Sequence, residues 1–168
     1  MVVRLWYALE RASLDAVTNP GLVFEHRGCR FVVRGAYLWL VLPSGRPLAY
    51  AAPKIEAKLT PWNEEKATVT AEGVDSLTKR WRRRGFYGGL WAENVVQALA
   101  RDLLAEAMVR VDAAGHKVIL TVHDEAVCED LTTFSSQASF LQLMTVVPTW
   151  AKGCPIGAEG YESARYRK

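Results

Sequence analysis

Apolar positions in residues 2–18 recur at helical spacing: Val2, Leu5, Trp6, Leu9, Ala12, Ala16 and Val17. That period predicts an amphipathic helix. Asn19-Pro20-Gly21 should stop it, because proline lacks an N–H and glycine frees the backbone. From Leu22 to about Gly73 the pattern changes. Val23, Phe24, Phe31, Val32, Val33 and the Tyr37–Leu42 run are β-branched, aromatic or otherwise apolar, which suits short strands. Pro43-Ser44-Gly45-Arg46-Pro47 is turn chemistry between two such strands. Ile55–Leu59 and Ala67–Thr70 alternate apolar with polar residues and predict half-exposed strands.

A long helix is expected from Leu90 to Ala113, after Gly88-Gly89 and before the stop at Gly115. Val95, Val96, Leu99, Leu103, Ala107 and Val111 form its apolar stripe, while Asn94, Gln97 and Arg101 fall on a second face. That polar face is either solvated or reads a nucleic-acid groove, where amides and guanidinium are the usual donors. Lys117–Val122 is a strand, His123-Asp124-Glu125 follows, and Ala126-Val127-Cys128 resumes the β pattern. This predicts a hairpin with the polar triplet at its tip. Ser135 or Ser136 is placed to cap a short helix through about Met144, with Phe140, Leu141 and Met144 facing inward and Pro148 ending it. Cys154–Glu159 is expected as a closing edge strand. The fold class is therefore α+β: an antiparallel sheet with a long packed helix, an N-terminal helix and a β-rich region. Within residues 1–168, read as a single fragment, this gives an N-terminal helix to 20, a β-rich subregion over 21–78, and the long helix, hairpin, short helix and closing strand over 79–168.

Composition narrows the class. Half of the 168 residues are hydrophobic, enough for a core and unlike a disordered or fibrous chain. The longest apolar run, Ala36–Leu42, is too short for a membrane helix, which needs about 20 residues. No secretory signal pattern is present at the N-terminus. Three widely spaced cysteines do not make a disulfide framework and suggest a reducing compartment, hence the cytoplasm.

The net charge of +3 is modest, but its distribution is not even. Lys79-Arg80-Trp81-Arg82-Arg83-Arg84 holds five cations around an aromatic, and Arg165-Tyr166-Arg167-Lys168 repeats the pairing. Cations neutralise phosphates and aromatics stack on bases, so these segments are either nucleic-acid contacts or solvated basic loops. Asp124, Glu125, Glu129 and Asp130 form an acidic counterpart, open to a divalent cation or to solvent alone. A carboxylate at a hairpin tip sits on rigid backbone, which suits a metal ligand for phosphoryl or nucleotidyl transfer.

At this point the residues carry a resemblance. Tyr87-Gly88-Gly89-Leu90-Trp91-Ala92-Glu93-Asn94-Val95-Val96-Gln97-Ala98-Leu99-Ala100-Arg101-Asp102-Leu103-Leu104 resembles the phage branch of family A DNA polymerases, the bacterial DNA polymerase I type. Leu120-Thr121-Val122-His123-Asp124-Glu125 is similar to that family's motif C. Leu42-Pro43-Ser44-Gly45-Arg46 with Tyr50, and the C-terminal Pro148-Thr149-Trp150-Ala151, Pro155-Ile156, Ala158-Glu159-Gly160 and Arg165-Tyr166-Arg167-Lys168, agree in order.

The resemblance implies a C-terminal segment of the polymerase palm. Asp124 would bind the catalytic Mg2+ ions, with Glu125 as its acidic neighbour. His123 would approach the primer terminus, and Gln97 would contact the minor groove of primer–template DNA. Asn94, Arg101, Arg46, Arg80, Arg82, Arg83 and Arg84 are further candidate DNA contacts. Glu93 stands where the bacterial enzymes carry Asn, so no DNA contact is carried onto it.

Half of the expected chemistry is missing. A two-metal centre needs separated carboxylates clamping both ions. The family's motif A, Asp-Tyr-Ser with a following Glu, has no counterpart; Ser13-Leu14-Asp15 is the nearest imitation and lies on the first predicted helix. Motif B is absent too, with Arg80, Arg84 and Tyr87-Gly88 imitating it at the wrong spacing. The missing half is expected before Met1, and the isolated chain is expected to be inactive. Its partners would be primer–template DNA, a dNTP only with the missing half, an upstream chain carrying motifs A and B, and a second copy if the first helix's apolar stripe is left uncovered. No membrane is expected. The alternative is a non-catalytic DNA-binding or interaction module, a relic of a phage gene. A zinc site from His116, His123 and the cysteines is poor, since the spacing lacks any CxxC pair. Trp6, Trp39 and Trp62 read as core or cover residues.

Overall fold

The computed structural model describes residues 2–59, 62–75, 77–131 and 136–166. The chain is α+β and forms two compact units, Met1–Gln97 and Ala98–Lys168. The elements are α1 (Val2–Thr18), β1 (Phe24–His26), β2 (Cys29–Arg34), β3 (Tyr37–Val41), β4 (Pro47–Leu59), β5 (Glu65–Val74), β6 (Trp81–Phe86), α2 (Gly88–Ala113), β7 (Val118–Val122), β8 (Glu125–Cys128) and α3 (Gln137–Met144). The boundary between the units falls inside α2.

In the first unit β1 to β6 form one antiparallel sheet in sequence order, a meander in which each strand pairs with the next. Turn residues set the registers. Arg27 and Gly28 both take positive φ and close β1 onto β2, so that His26 faces Cys29. Such φ values suit a two-residue hairpin turn because their twist matches the strands. The expected turn over Pro43–Pro47 is present, with Gly45 at φ 88° and Val41 opposite Pro47. A bulge breaks the β4–β5 ladder between Ala51 and Lys54, with Ala52 at φ 46°.

Strand alternation divides the sheet into two faces. Phe31, Leu38 and Leu40 point inward and are fully buried. Trp91, at the start of α2, is also fully buried. Its ring meets Phe31 edge-on at 5.2 Å, Tyr50 edge-on at 4.8 Å and Phe86 in a stack at 4.8 Å. Four aromatics in these geometries gain beyond their buried area. They also fix the rotation of α2. The buried residues of its first half are Trp91, Ala92, Val95, Ala98 and Asp102, whereas Val96 is 60% exposed. Val95, Ala107 and Val111 of the expected stripe are buried, while around Val96, Leu99 and Leu103 the buried positions fall one residue earlier, because the largest side chain decides which face turns inward there.

α1 buries Leu9, Ala12 and Ala16 together with Glu10 and Ser13. Lys66 pairs with Glu10 at 2.7 Å, and Ser13 Oγ donates to the Glu10 carbonyl. The first half of its apolar stripe is not covered, and Val2, Val3, Trp6 and Tyr7 are exposed. Trp6 and Trp62 are therefore surface residues, and Trp39 is half-buried.

In the second unit β7 and β8 form a two-stranded hairpin. α3 is capped by Ser136, whose side chain accepts from the Ser139 N–H; Ser135 lies outside the described residues. Phe140, Leu141 and Met144 are half-buried, and α3 has no fully buried residue. Arg110 donates to the carbonyls of Leu143 and Val146, and Trp150 Nε1 donates to Glu106, so α2 holds the end of α3 and the segment after it. The edge strand expected at Cys154–Glu159 is not formed; the segment is irregular. Gly153, Pro155 and Gly157 explain this, since proline cannot donate to a ladder and glycine has little strand preference. No helix among the described residues is long and apolar enough to cross a membrane.

Candidate nucleic-acid and metal site

The hairpin turn consists of His123 and Asp124, with Val122 opposite Glu125. His123 takes φ 53°, a left-handed conformation that aspartate, asparagine and histidine tolerate better than most residues. The turn leaves His123, Asp124 and Glu125 exposed at the tip. Asp124 makes no hydrogen bond or ion pair among the described residues, so its carboxylate is open to a ligand. Glu125 accepts a hydrogen bond from the Tyr166 hydroxyl at 3.3 Å. Desolvation, and then the charge of Glu125, raise the pKa of that hydroxyl. Tyr166 was grouped in sequence only with basic neighbours, and nothing in the spacing of 125 and 166 announces the contact. Arg167 and Lys168, from the same tail, lie outside the described residues.

The acidic cluster read along the sequence is divided in space. Asp130 lies at the base of the hairpin, five residues from Glu125 and on the order of 15 Å along an extended strand. There its Oδ2 meets His116 Nδ1 at 2.6 Å, and its Oδ1 accepts the Lys117 N–H. His116 and Asp130 are both nearly buried, and Phe140 meets the imidazole edge-on at 5.5 Å. This pair latches the ends of β7 and β8. No group of three or more His, Cys, Asp or Glu among the described residues is arranged to hold a metal. The donor chemistry fits one arm of a Mg2+ site: this ion commonly keeps several waters and takes only one or two carboxylates from protein.

The candidate contacts on α2 differ from one another. Gln97 is exposed and its amide donates to Glu93 at 3.3 Å, one helical turn back. Glu93 thus orients Gln97. Arg101 is exposed. Asn94 is half-buried and donates to the Tyr50 hydroxyl at 3.0 Å. Burial pushes the Tyr50 hydroxyl pKa up to about 12, with the Asn94 hydrogen bond acting in the opposite direction.

The basic run 79–84 is not a loop. Most of it enters β6, an edge strand of the six-stranded sheet. Arg83 faces Glu72 across β5 and pairs with it at 2.9 Å, while donating to the carbonyls of Ala52 and Thr70. Its guanidinium holds the β4 bulge. Arg82 pairs with Asp75 at 2.5 Å. Arg80 and Arg84 are exposed and make no side-chain ion pair among the described residues. Arg46 sits exposed in the turn before β4.

The chain is homologous over 99% of its length to a DNA polymerase of Bacillus phage SP02, at 39% identity over 170 residues. It spans about a quarter of that protein's length. No family model matches the chain. No solved structure matches it either.

Proposed function

We propose that this chain is the C-terminal palm segment of a phage-type family A DNA polymerase, supplying the motif C carboxylate and primer–template contacts for nucleotidyl transfer. The single observation that carries the reading is the identity to a phage DNA polymerase along essentially the whole chain. The exposed tip carboxylate supports it. Asp124 would hold Mg2+, which when bound lowers the cost of charge developing on the transferred phosphoryl group. His123, beside it in a left-handed turn, would lie against the primer end. Gln97, oriented by Glu93, and Arg101 would meet the duplex. Asn94 acts through Tyr50 as a positioning residue. Such a chain works in the cytoplasm of a bacterium or a phage-infected host, with a partner carrying motifs A and B.

The test is primer extension with Mg2+. The chain alone should incorporate no nucleotide. Mixed with a polypeptide containing motifs A and B from the phage relative, it should restore synthesis, and Asp124→Ala should abolish it. Synthesis by the chain alone, or restored synthesis that survives Asp124→Ala, would overturn the reading.

A second reading, a non-catalytic DNA-binding module, is favoured by the exposed Arg80, Arg84 and Arg101. It requires duplex affinity that falls with salt and is indifferent to Mg2+.

A further inference from the structure

The outer face of the six-stranded sheet carries an aromatic and cationic surface that the polymerase reading does not use. Cross-strand partners share a face. Arg34, Tyr37, Ala51, Glu72 and Arg83 are successive partners across β2 to β6, and Val32, Trp39 and Ala49 form the adjacent row. All lie opposite the buried Phe31, Leu38 and Leu40. Tyr37 and Trp39 touch at 5.6 Å with their rings tilted by 46°, and Val32 is buried beside them. On β4 the rings are opposed by Ala51 and Ala49, so no bulky side chain shields them from that side. Tyr37 is 43% exposed.

The charge around the rings is chiefly positive. Arg34 stands directly opposite Tyr37, and Arg30 lies on the same face of β2. Both are exposed and neither makes an ion pair or side-chain hydrogen bond among the described residues. Glu25 faces Arg30 from β1. Glu72 is already engaged by Arg83 and by Trp81 Nε1. Half-open aromatic rings flanked by uncommitted guanidinium groups match the chemistry of unpaired bases on a phosphate backbone. A duplex keeps its bases stacked inside and offers no ring face to Tyr37.

We propose that this face binds single-stranded DNA, with Tyr37 and Trp39 stacking on bases and Arg34 and Arg30 meeting phosphates. The site goes beyond the polymerase reading and does not depend on Asp124 or Gln97.

The test is fluorescence anisotropy with the full chain, a labelled oligothymidylate of about 12 nucleotides, within the usual site size for such surfaces, and a blunt duplex. Tyr37→Ala should weaken oligothymidylate binding about tenfold, as expected for loss of one stacked base. Tyr37→Phe keeps the ring and should restore affinity. Arg34→Glu alters only an exposed side chain, so the fold is retained; it should weaken binding and flatten the salt dependence. Duplex affinity should not change in any of the three, and oligothymidylate affinity should not change in Gln97→Ala. The proposal is overturned if the wild-type chain does not bind oligothymidylate. It is also overturned if Tyr37→Ala binds as wild type while Arg34→Glu does not, or if duplex affinity falls in parallel.

Discussion

Replacing Asn94 by alanine separates two roles that its place on the polar face of α2 leaves open. Its side-chain amide donates to the Tyr50 hydroxyl at 3.0 Å, and Tyr50 in turn packs against Phe86 at 5.0 Å and Trp91 at 4.8 Å. Removing one partner of a part-buried hydrogen bond costs about 1–3 kcal/mol, because the remaining group is left poorly satisfied. Asn94→Ala should therefore destabilise the fold by about 1–2 kcal/mol. Tyr50→Phe removes the other partner and should cost about 1 kcal/mol. The double variant should cost less than the sum, with a coupling of about 1 kcal/mol. Urea unfolding of the four proteins at fixed pH and salt measures it. A second readout is the tyrosine titration: the Asn94 hydrogen bond lowers the Tyr50 pKa, so Asn94→Ala should move that pKa further up from about 12. Duplex affinity, measured where every variant is folded, should stay within about twofold for Asn94→Ala, whereas Gln97→Ala weakens it. Additivity within about 0.5 kcal/mol would refute the structural role. So would a large loss of duplex affinity in Asn94→Ala that Tyr50→Phe does not share.

A Cβ added at Gly88 would lie 2.5 Å from the Trp6 carbonyl oxygen, so Gly88→Ala should destabilise by about 1–3 kcal/mol in urea unfolding, while Gly73→Ala, which meets nothing, should be much milder. Equal effects would contradict the close approach of α1 to the start of α2. Burial pushes the Cys29 thiol up to about 11, with the charge of Glu25 adding to it; desolvation does the same for Cys128, helped by Asp130 and Asp112. At pH 8 only roughly one in a thousand of each is thiolate. Exposed Cys154 should react first with Ellman's reagent, half-buried Cys128 more slowly, and buried Cys29 only in urea; comparable rates for Cys154 and Cys29 in the folded chain would count against that burial. Hydrogen bonds from Thr78, outweighing desolvation, and the charge of Arg82 hold the Asp75 carboxyl below its ordinary pKa. A depressed carboxylate pKa stabilises the fold fully above the unfolded value of about 3.9 and loses that contribution as pH falls through the folded value. The gap in melting temperature between wild type and Asp75→Ala should narrow below about pH 4, and a gap that widens on acidification would show the opposite sign.

Periodicity carried much of the fold. α1, the strands of the β-rich region, α2 and the hairpin follow from where apolar residues recur and where glycine and proline interrupt them. β6 was hidden because Trp81–Phe86 has no alternation of apolar residues. Its strand is supported by pairing with β5 and by Arg83 filling the bulge, both long-range facts. The rotation of α2 was hidden for a related reason. A stripe chosen by aliphatic spacing ignores Trp91, whose partners Phe31 and Tyr50 come from strands far back in the chain. Among the site residues, the exposed tip triplet followed from local hairpin logic. The loss of Asp130 to His116, and of Arg83 and Arg82 to Glu72 and Asp75, did not, because sequence proximity of like charges says nothing about distant counter-charges.

This redistribution of charge sharpens what the chain would offer DNA on the proposed reading. Of the four carboxylates near the hairpin, Asp130 is locked at its base and Glu125 accepts from Tyr166, while Asp124 stands open at the turn. A two-stranded hairpin is marginal by itself in water, and a metal ligand must be held within about 0.5 Å of its working position. The His116–Asp130 contact ties the base of the hairpin while Asp124 stays open at its turn. Ile119 and Leu120 on β7 remain about half exposed, at 51% and 45%. If the proposed function holds, a further polypeptide would cover this strand and bring a second acidic ligand to Asp124. On the polymerase reading these two needs have one source, so a partner that restores synthesis should also protect the amides of β7 from exchange.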